Sequence, residues 1–277
     1  MTDGPLPPPG APGGPIGANP SFFDLIRTTR PEALPGPVSD VVTPVHGTTV
    51  VGLKFADGVV FAGDRRATEG FAIADERMEK VFAADGFSVI AIAGAAGQAI
   101  ELVRLFQLEL EHYEKITGDR LSLEGKANRL AQMIRGNLPA AMQGLVVVPL
   151  FGGFDERRGE GRIFYYDATG GRWEEFDFHT TGSGGRAARS SLKKRWRSGL
   201  DRVEALRVAV EALVDASHED AGTGGPDPAR GIFPTVVVVS AAGAETVGQD
   251  DVRAAHEAVI AANEGAGGAS REGGVPS

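Results

Sequence analysis

Thr48-Thr49-Val50-Val51-Gly52-Leu53-Lys54-Phe55 and Gly58-Val59-Val60-Phe61-Ala62 are two β-rich runs with only Ala56-Asp57 between them. Asp57-Gly58 is a tight-turn dipeptide, so the spacing predicts a hairpin at the head of the folded region. Beyond it, Phe87-Ser88-Val89-Ile90-Ala91-Ile92-Ala93-Gly94 is a third strand ending in small residues, after which Ile100, Val103, Phe106, Leu110 and Tyr113 recur at helical spacing. A second helix is expected over Leu123–Met142, followed by strands over Gly144–Phe154, Arg162–Asp167 and Arg172–Phe178. Helices over Gly185–Trp196 and Val203–Ser217, a buried strand over Phe233–Ser240 and a last helix over Asp250–Ala262 complete the pattern. Strands, two helices, strands and two helices predict an α+β fold in which two sheets pack face to face and helices cover them outside.

On the other side of the hairpin, the first 47 of the 277 residues hold 11 of the 17 prolines and seven glycines, and cannot keep regular structure over most of their length. This stretch reads as a leader. Within it, Ser21-Phe22-Phe23-Asp24-Leu25-Ile26-Arg27 is an apolar island that begins on a capping serine and is suited to docking. Glu264–Ser277 is Gly-rich, with Val275 as its one large apolar side chain, and predicts a loose tail. The expected organisation is a leader over 1–47, one domain over 48–263 and a tail over 264–277.

Composition narrows the function. A net charge of −9 disfavours a nucleic-acid binder, which needs a basic surface for phosphates. Cysteine is absent, which removes disulfides, thiolate metal sites and thiol nucleophiles together. No apolar run approaches the roughly 20 residues that cross a bilayer, and the first residues lack the order of a secretory signal, so a soluble, cytoplasmic chain is expected. His46, His112, His179, His218 and His256 are scattered without ligand spacing, so no metal and no other cofactor is expected. GxxxxGK[ST] and GxSxG are both missing, which argues against nucleotide hydrolysis and a Ser-His-Asp triad.

The chemistry is sought instead where the leader meets the first strand, at His46-Gly47-Thr48-Thr49-Val50. Cleavage between Gly47 and Thr48 would put a nucleophile and its base on one residue. A Thr hydroxyl is too weak an acid to ionise at neutral pH, whereas a free α-amino group has an unperturbed pKa of roughly 7.7–8.0 and can take the hydroxyl proton. With the leader attached, the same nitrogen is an amide and no base, so the leader acts as a lock. Gly47, lacking Cβ, tolerates unusual dihedrals and lets the Thr48 hydroxyl approach its carbonyl. Alone, Gly-Thr before a strand is common and decides nothing.

Taken in order, Gly47-Thr48-Thr49-Val50, Ala62-Gly63-Asp64-Arg65-Arg66-Ala67-Thr68, Lys80, Ala93-Gly94, Gly182-Ser183-Gly184 and Asp220–Gly225 resemble the β-subunit of the 20S proteasome. The likeness is to the actinobacterial form, with its long leader and a Gly-Gly-Pro-Asp-x-x-Arg-Gly-Ile-Phe-Pro-Thr segment, here Gly224–Thr235. It spans His46 to Ala262 and implies the N-terminal-nucleophile hydrolase fold, a four-layer αββα sandwich. It further implies Thr48 as nucleophile and its freed amine as proton acceptor, with Lys80, 32 positions on, favouring the ionised hydroxyl, and Asp64 pairing with Lys80. The Gly94 N–H becomes the oxyanion donor, worth about 2.7–4 kcal/mol in such sites. Ser183 and Asp220 surround the amine. Thr68 holds the substrate backbone as an added strand, and Ala67, Ile92 and Ala96 line the specificity pocket, their small or apolar character suiting cleavage after apolar residues. The family's Asp-x-x-Ser-Gly is here Asp220-Ala221-Gly222-Thr223-Gly224. Thr223 keeps the hydroxyl but is stiffer at χ1, which leaves open whether it fills the serine's role.

The resemblance implies a threonine peptidase precursor, other copies of the chain in seven-membered rings, proteasome α-subunits stacked on them, and an ATPase that feeds unfolded or tagged protein substrates through the α rings. No nucleic acid and no membrane is among the expected partners. Two rival readings keep the fold: a self-processing amidase acting on small amides, and a catalytically silent ring subunit, against which the presence of Thr48, Asp64 and Lys80 together counts.

Overall fold

β1 (Thr49–Phe55) and β2 (Gly58–Gly63) form the expected antiparallel hairpin in the computed structural model, which describes residues 47–70 and 72–269, with side chains through Glu264. The hairpin is the centre of a five-stranded antiparallel sheet ordered β10-β1-β2-β11-β12, with β10 at Phe178–Gly182, β11 at Thr235–Ser240 and β12 at Gly243–Thr246. A second five-stranded sheet runs β5-β6-β7-β8-β9, made by Val81–Asp85, Ser88–Gly94, Val147–Asp155, Glu160–Tyr166 and Arg172–Glu175. A two-stranded ribbon, β3 (Ala67–Glu69) with β4 (Ala72–Asp75), projects between them in sequence. The helices are α1 (Ala96–Thr117), α2 (Leu123–Gly136), the short α3 (Leu138–Ala141), α4 (Gly185–Arg195), α5 (Arg202–Glu219) and α6 (Gln249–Ala269).

The strands read as continuous apolar runs because both faces of each sheet are covered, and side chains alternate between two cores. In the first sheet, Val51, Leu53, Val60, Ala62, Val236 and Val238 pack outward with α4, α5 and α6. Their neighbours Val50, Val59, Phe61, Val237 and Val239 point inward and meet Val89, Ala91, Leu150 and Ile163 of the second sheet. The second sheet's outer residues, among them Ile90, Phe151 and Phe164, bury Val103, Phe106, Leu130 and Ile134 of α1 and α2. Helix, sheet, sheet, helix is the four-layer αββα sandwich that the element order predicted. Two glycines allow the sheets to close on the Phe61 ring: a Cβ at Gly52 would lie 3.0 Å from it and one at Gly152 2.8 Å.

Several boundaries depart from the sequence reading. The single helix expected over Leu123–Met142 is broken at Asn137, because Pro139 has no N–H to give the carbonyl four residues back and its ring clashes with that carbonyl, whereas it is tolerated in the first turn of a new helix. The run Arg172–Phe178 is two strands: β9 closes one sheet, the chain crosses at Phe176-Asp177, and β10 opens on the other. β3, β4, β5 and β12 were missed: each is three to five residues long and partly or wholly exposed, and the apolar residues of β4 and β5 are too few to show a period. The tail expected from Glu264 is helical at its start, since α6 runs to Ala269; glycine costs a helix roughly 1 kcal/mol per residue without forbidding it, and no proline intervenes before Pro276. The leader through His46, its Ser21–Arg27 island and Val275 lie outside the described residues.

Candidate active site

Antiparallel pairing delivers the expected residues to one end of the sandwich. Thr48 immediately precedes β1, Asp64 follows β2, and Ser183 follows β10; the register Val50 to Gly63 and Thr49 to Gly182 sets these three strand ends side by side. From the second sheet come Lys80, one residue before β5, and Gly94, the last residue of β6. Asp220 is the C-cap of α5, a helix fixed at its other end by a capping box in which Glu204 N donates to Asp201 at 2.8 Å and Asp201 N to Glu204 at 3.3 Å.

Asp64 and Lys80 form a buried ion pair, Nζ to Oδ1 at 2.7 Å, with side-chain exposures of 0% and 1%. A bare carboxylate there would be costly, and this one is saturated: Oδ1 also accepts from Thr49 N at 2.8 Å, and Oδ2 from Arg66 N and Gly224 N, each at 2.9 Å. The Lys80 ammonium donates in addition to the Arg66 carbonyl at 2.5 Å. Burial pulls Lys80 below its ordinary lysine value, while Asp64 opposes that pull. The ammonium presents its positive charge in a low-dielectric setting, where its field is little screened.

The Thr48 hydroxyl donates to the carbonyl oxygen of Gly47 at 2.7 Å, across the bond expected to be cut. Thr48 N donates to Ser183 Oγ at 3.2 Å, and Ser183 Oγ donates to Asp220 Oδ2 at 2.6 Å. Thr223 Oγ1 donates to the same oxygen at 2.6 Å and is 1% exposed, so branching at Cβ does not keep its hydroxyl from the carboxylate. Gly47 is pinned by its N–H to Thr68 Oγ1 at 2.7 Å. Its lack of Cβ serves close approach: a Cβ there would stand 2.3 Å from Gly222 Cα.

Thr48 and Lys80 share a cavity with Ala67, Ile92 and Ala96, the three residues expected to line a pocket, with Thr68, expected to hold the substrate backbone, and with Gly94. Met78 also lines it and was not anticipated; a methionine between two short strands carries no sequence signal for such a place. Gly94 has φ +111, and a Cβ on it would sit 2.1 Å from Val146 O, so no other residue fits. It lies two residues before the first turn of α1, where the helix's free N–H groups and dipole favour negative charge. Thr49 and Gly184, which stand in the quoted motifs without an expected role, enter the network through Gly184 N donating to Thr49 Oγ1 at 3.0 Å.

Residues 45–227 match the family model described as proteasome subunit. The chain belongs to the proteasome subunit family. It is 62% identical over 208 residues to a "proteasome subunit beta" of Acidimicrobium ferrooxidans, covering 75% of this chain and 76% of that one. A "proteasome subunit beta" of Streptomyces griseus is 56% identical over 225 residues, covering 79% and 80%. The likeness to the actinobacterial 20S proteasome β-subunit, drawn from the motifs, is upheld, and with it the α+β sandwich of the N-terminal-nucleophile hydrolase type. Among the described residues, no helix is long and apolar enough to cross a membrane.

Proposed function

We propose that this chain is the precursor of a catalytic β-subunit of the 20S core particle, a threonine-type endopeptidase that frees its own nucleophile by cleavage between Gly47 and Thr48. The observation that carries the reading is the Thr48 hydroxyl seated on the Gly47 carbonyl, at a cavity that the buried Lys80 also lines. In maturation, Thr48 Oγ bonds to the Gly47 carbonyl carbon and its proton passes to the Thr48 nitrogen as the C–N bond breaks. Water then hydrolyses the resulting ester, releasing residues 1–47 with a new carboxylate and leaving the catalytic domain, 48–263, and the C-terminal segment from 264 behind.

The freed amine takes the Thr48 hydroxyl proton, and Lys80 stabilises the oxygen anion as it attacks a substrate carbonyl. The Gly94 N–H receives the developing oxyanion. The amine returns its proton to the leaving peptide nitrogen, and water clears the acyl ester. Ser183 and Asp220 orient the amine, while Thr68 on β3 offers its backbone to an extended substrate, whose apolar side chain enters the space among Ala67, Ile92 and Ala96. The working form is a cytoplasmic particle: seven-membered rings of this chain stacked with α-subunit rings, the ATPase acting through the α rings on unfolded or tagged proteins.

The amino-terminal residue of the chain isolated from assembled particles tests this directly, with Thr48 expected. Thr48→Ala should abolish both the cut and fluorogenic peptide turnover. Persistence of either is incompatible with the mechanism, and assembly without turnover in the wild type makes the chain a silent subunit.

A further inference from the structure

We propose that Thr49, the residue after the nucleophile, is a positioning residue whose hydroxyl fixes the order of donors and acceptors around the Thr48 nitrogen. The inference rests on Thr48 being the nucleophile, and its argument is a count of protons. A hydroxyl owns one. Ser183 Oγ lies 2.6 Å from Asp220 Oδ2 and 3.3 Å from the Thr48 carbonyl, so its proton goes to the carboxylate, the shorter and charge-assisted bond. Thr223 spends its proton on the same Oδ2 at 2.6 Å. It has none left for Thr49, yet the two threonine hydroxyl oxygens are 2.6 Å apart. Thr49 must therefore donate to Thr223, and its own lone pair takes the Gly184 N–H at 3.0 Å.

The direction is thereby set from end to end. Gly184 donates to Thr49, Thr49 to Thr223, Thr223 to Asp220; Ser183 donates to Asp220 as well and turns a lone pair toward the Thr48 N–H at 3.2 Å. Water has no place as a substitute: Thr49 is 0% exposed, and a Cβ at Gly184 would fall 2.5 Å from both threonine hydroxyl oxygens. The same residue is tied to the other half of the site, because Thr49 N donates to Asp64. Removing the Thr49 hydroxyl orphans the Gly184 N–H, frees Thr223 to rotate, and loosens the carboxylate that aims Ser183 at the nucleophile's nitrogen. The charged groups about that nitrogen are Asp64 after β2, Arg66, Lys80 before β5 and Asp220 at the end of α5; the change removes none of them and acts on Asp220 through Thr223.

The experiment compares Thr49→Val with Thr49→Ser in the full-length chain assembled into its particle, reading kcat, KM and the pH profile of peptide hydrolysis. Orphaning buried partners is expected to lower kcat roughly tenfold or more in Thr49→Val, with KM within about twofold and the acid limb of the profile displaced; Thr49→Ser restores all three. An unchanged kcat and profile in Thr49→Val, or an equal loss in Thr49→Ser, overturns the proposal. If Thr49→Val does not fold, Thr223→Val breaks the next link and must give the same displaced profile, restored by Thr223→Ser. Absence of peptide turnover in the wild type refutes the nucleophile reading instead. The proposal is then judged on amide exchange at Gly184, faster in Thr49→Val than in wild type and Thr49→Ser if correct, equal in all three if wrong.

Discussion

Asp64 shows what a single side chain is asked to hold. Four donors from four parts of the chain converge on it, and one of them is a buried ammonium. Removing one partner of such a pair leaves a charge in the interior, so Asp64→Asn is expected to lower stability by about 3–5 kcal/mol, measured as a shift of the urea midpoint. The same variant is expected to slow cleavage at Gly47-Thr48, followed by intact mass, since Lys80 loses its anchor. Gly47→Ala should also retard that cleavage, its methyl colliding with the Gly222 backbone, while the stability of the remaining sandwich stays within about 1 kcal/mol.

At the scale of elements, the turn from β6 into α1 is the most constrained. Gly94→Ala forces a Cβ into Val146 O at a positive φ and displaces the N–H proposed to bind the oxyanion. Loss of an oxyanion donor lowers kcat by roughly 10²–10³, and that is the size of effect expected in steady-state hydrolysis, with KM changing far less. The elements legible in the sequence were those with a strong period or a punctuating residue: the β1-β2 hairpin at Asp57-Gly58, β6, α5 with its Asp201 and Glu204. Those that escaped were short or half-exposed, as β3, β4 and β12 are, or depended on tertiary context, as does the parting of β9 from β10 at Phe176-Asp177. The site divided in the same way. Thr48 was reached from the junction of leader and first strand, a local signal too common to decide alone, whereas Asp64, Lys80, Gly94, Ser183 and Asp220 were named from the motif likeness. Met78, Thr49 and Gly184 belong to it through packing and hydrogen bonds between distant segments, which no local pattern encodes.

For the molecule as a whole, acid is the informative perturbation. Burial alone, the largest single influence, would raise Glu124 and Asp155, but the Arg162 hydrogen bond outweighs it together with Arg172 at Glu124 and with the Arg157 and Arg158 N–H groups at Asp155, and both sit below the usual carboxylate range; for Glu174 the Arg162 hydrogen bond is itself the leading cause. Arg162 is buried among these three and joins α2 to β7, β8 and β9. Carboxylates held low stabilise the fold above their unfolded values near 4, and that stability is lost as pH falls through the folded ones. Unfolding midpoints are thus expected to hold from pH 7 to about 5 and to drop below about 4, with a shallower drop in Arg162→Met. Phe61→Ala, which empties the space between the sheets, should cost about 3–5 kcal/mol at any of these pH values.

The crossing at Phe176-Asp177 ties two slabs that each carry only part of the proposed catalytic site: Thr48, Asp64 and Ser183 ride on one, Lys80 and Gly94 on the other. The 2.7 Å between Lys80 and Asp64 is consequently a vernier for how the slabs are aligned. A wedge as small as a methyl at Gly52, set against Phe61 far along the strand, would be registered there as misalignment before it was felt as unfolding.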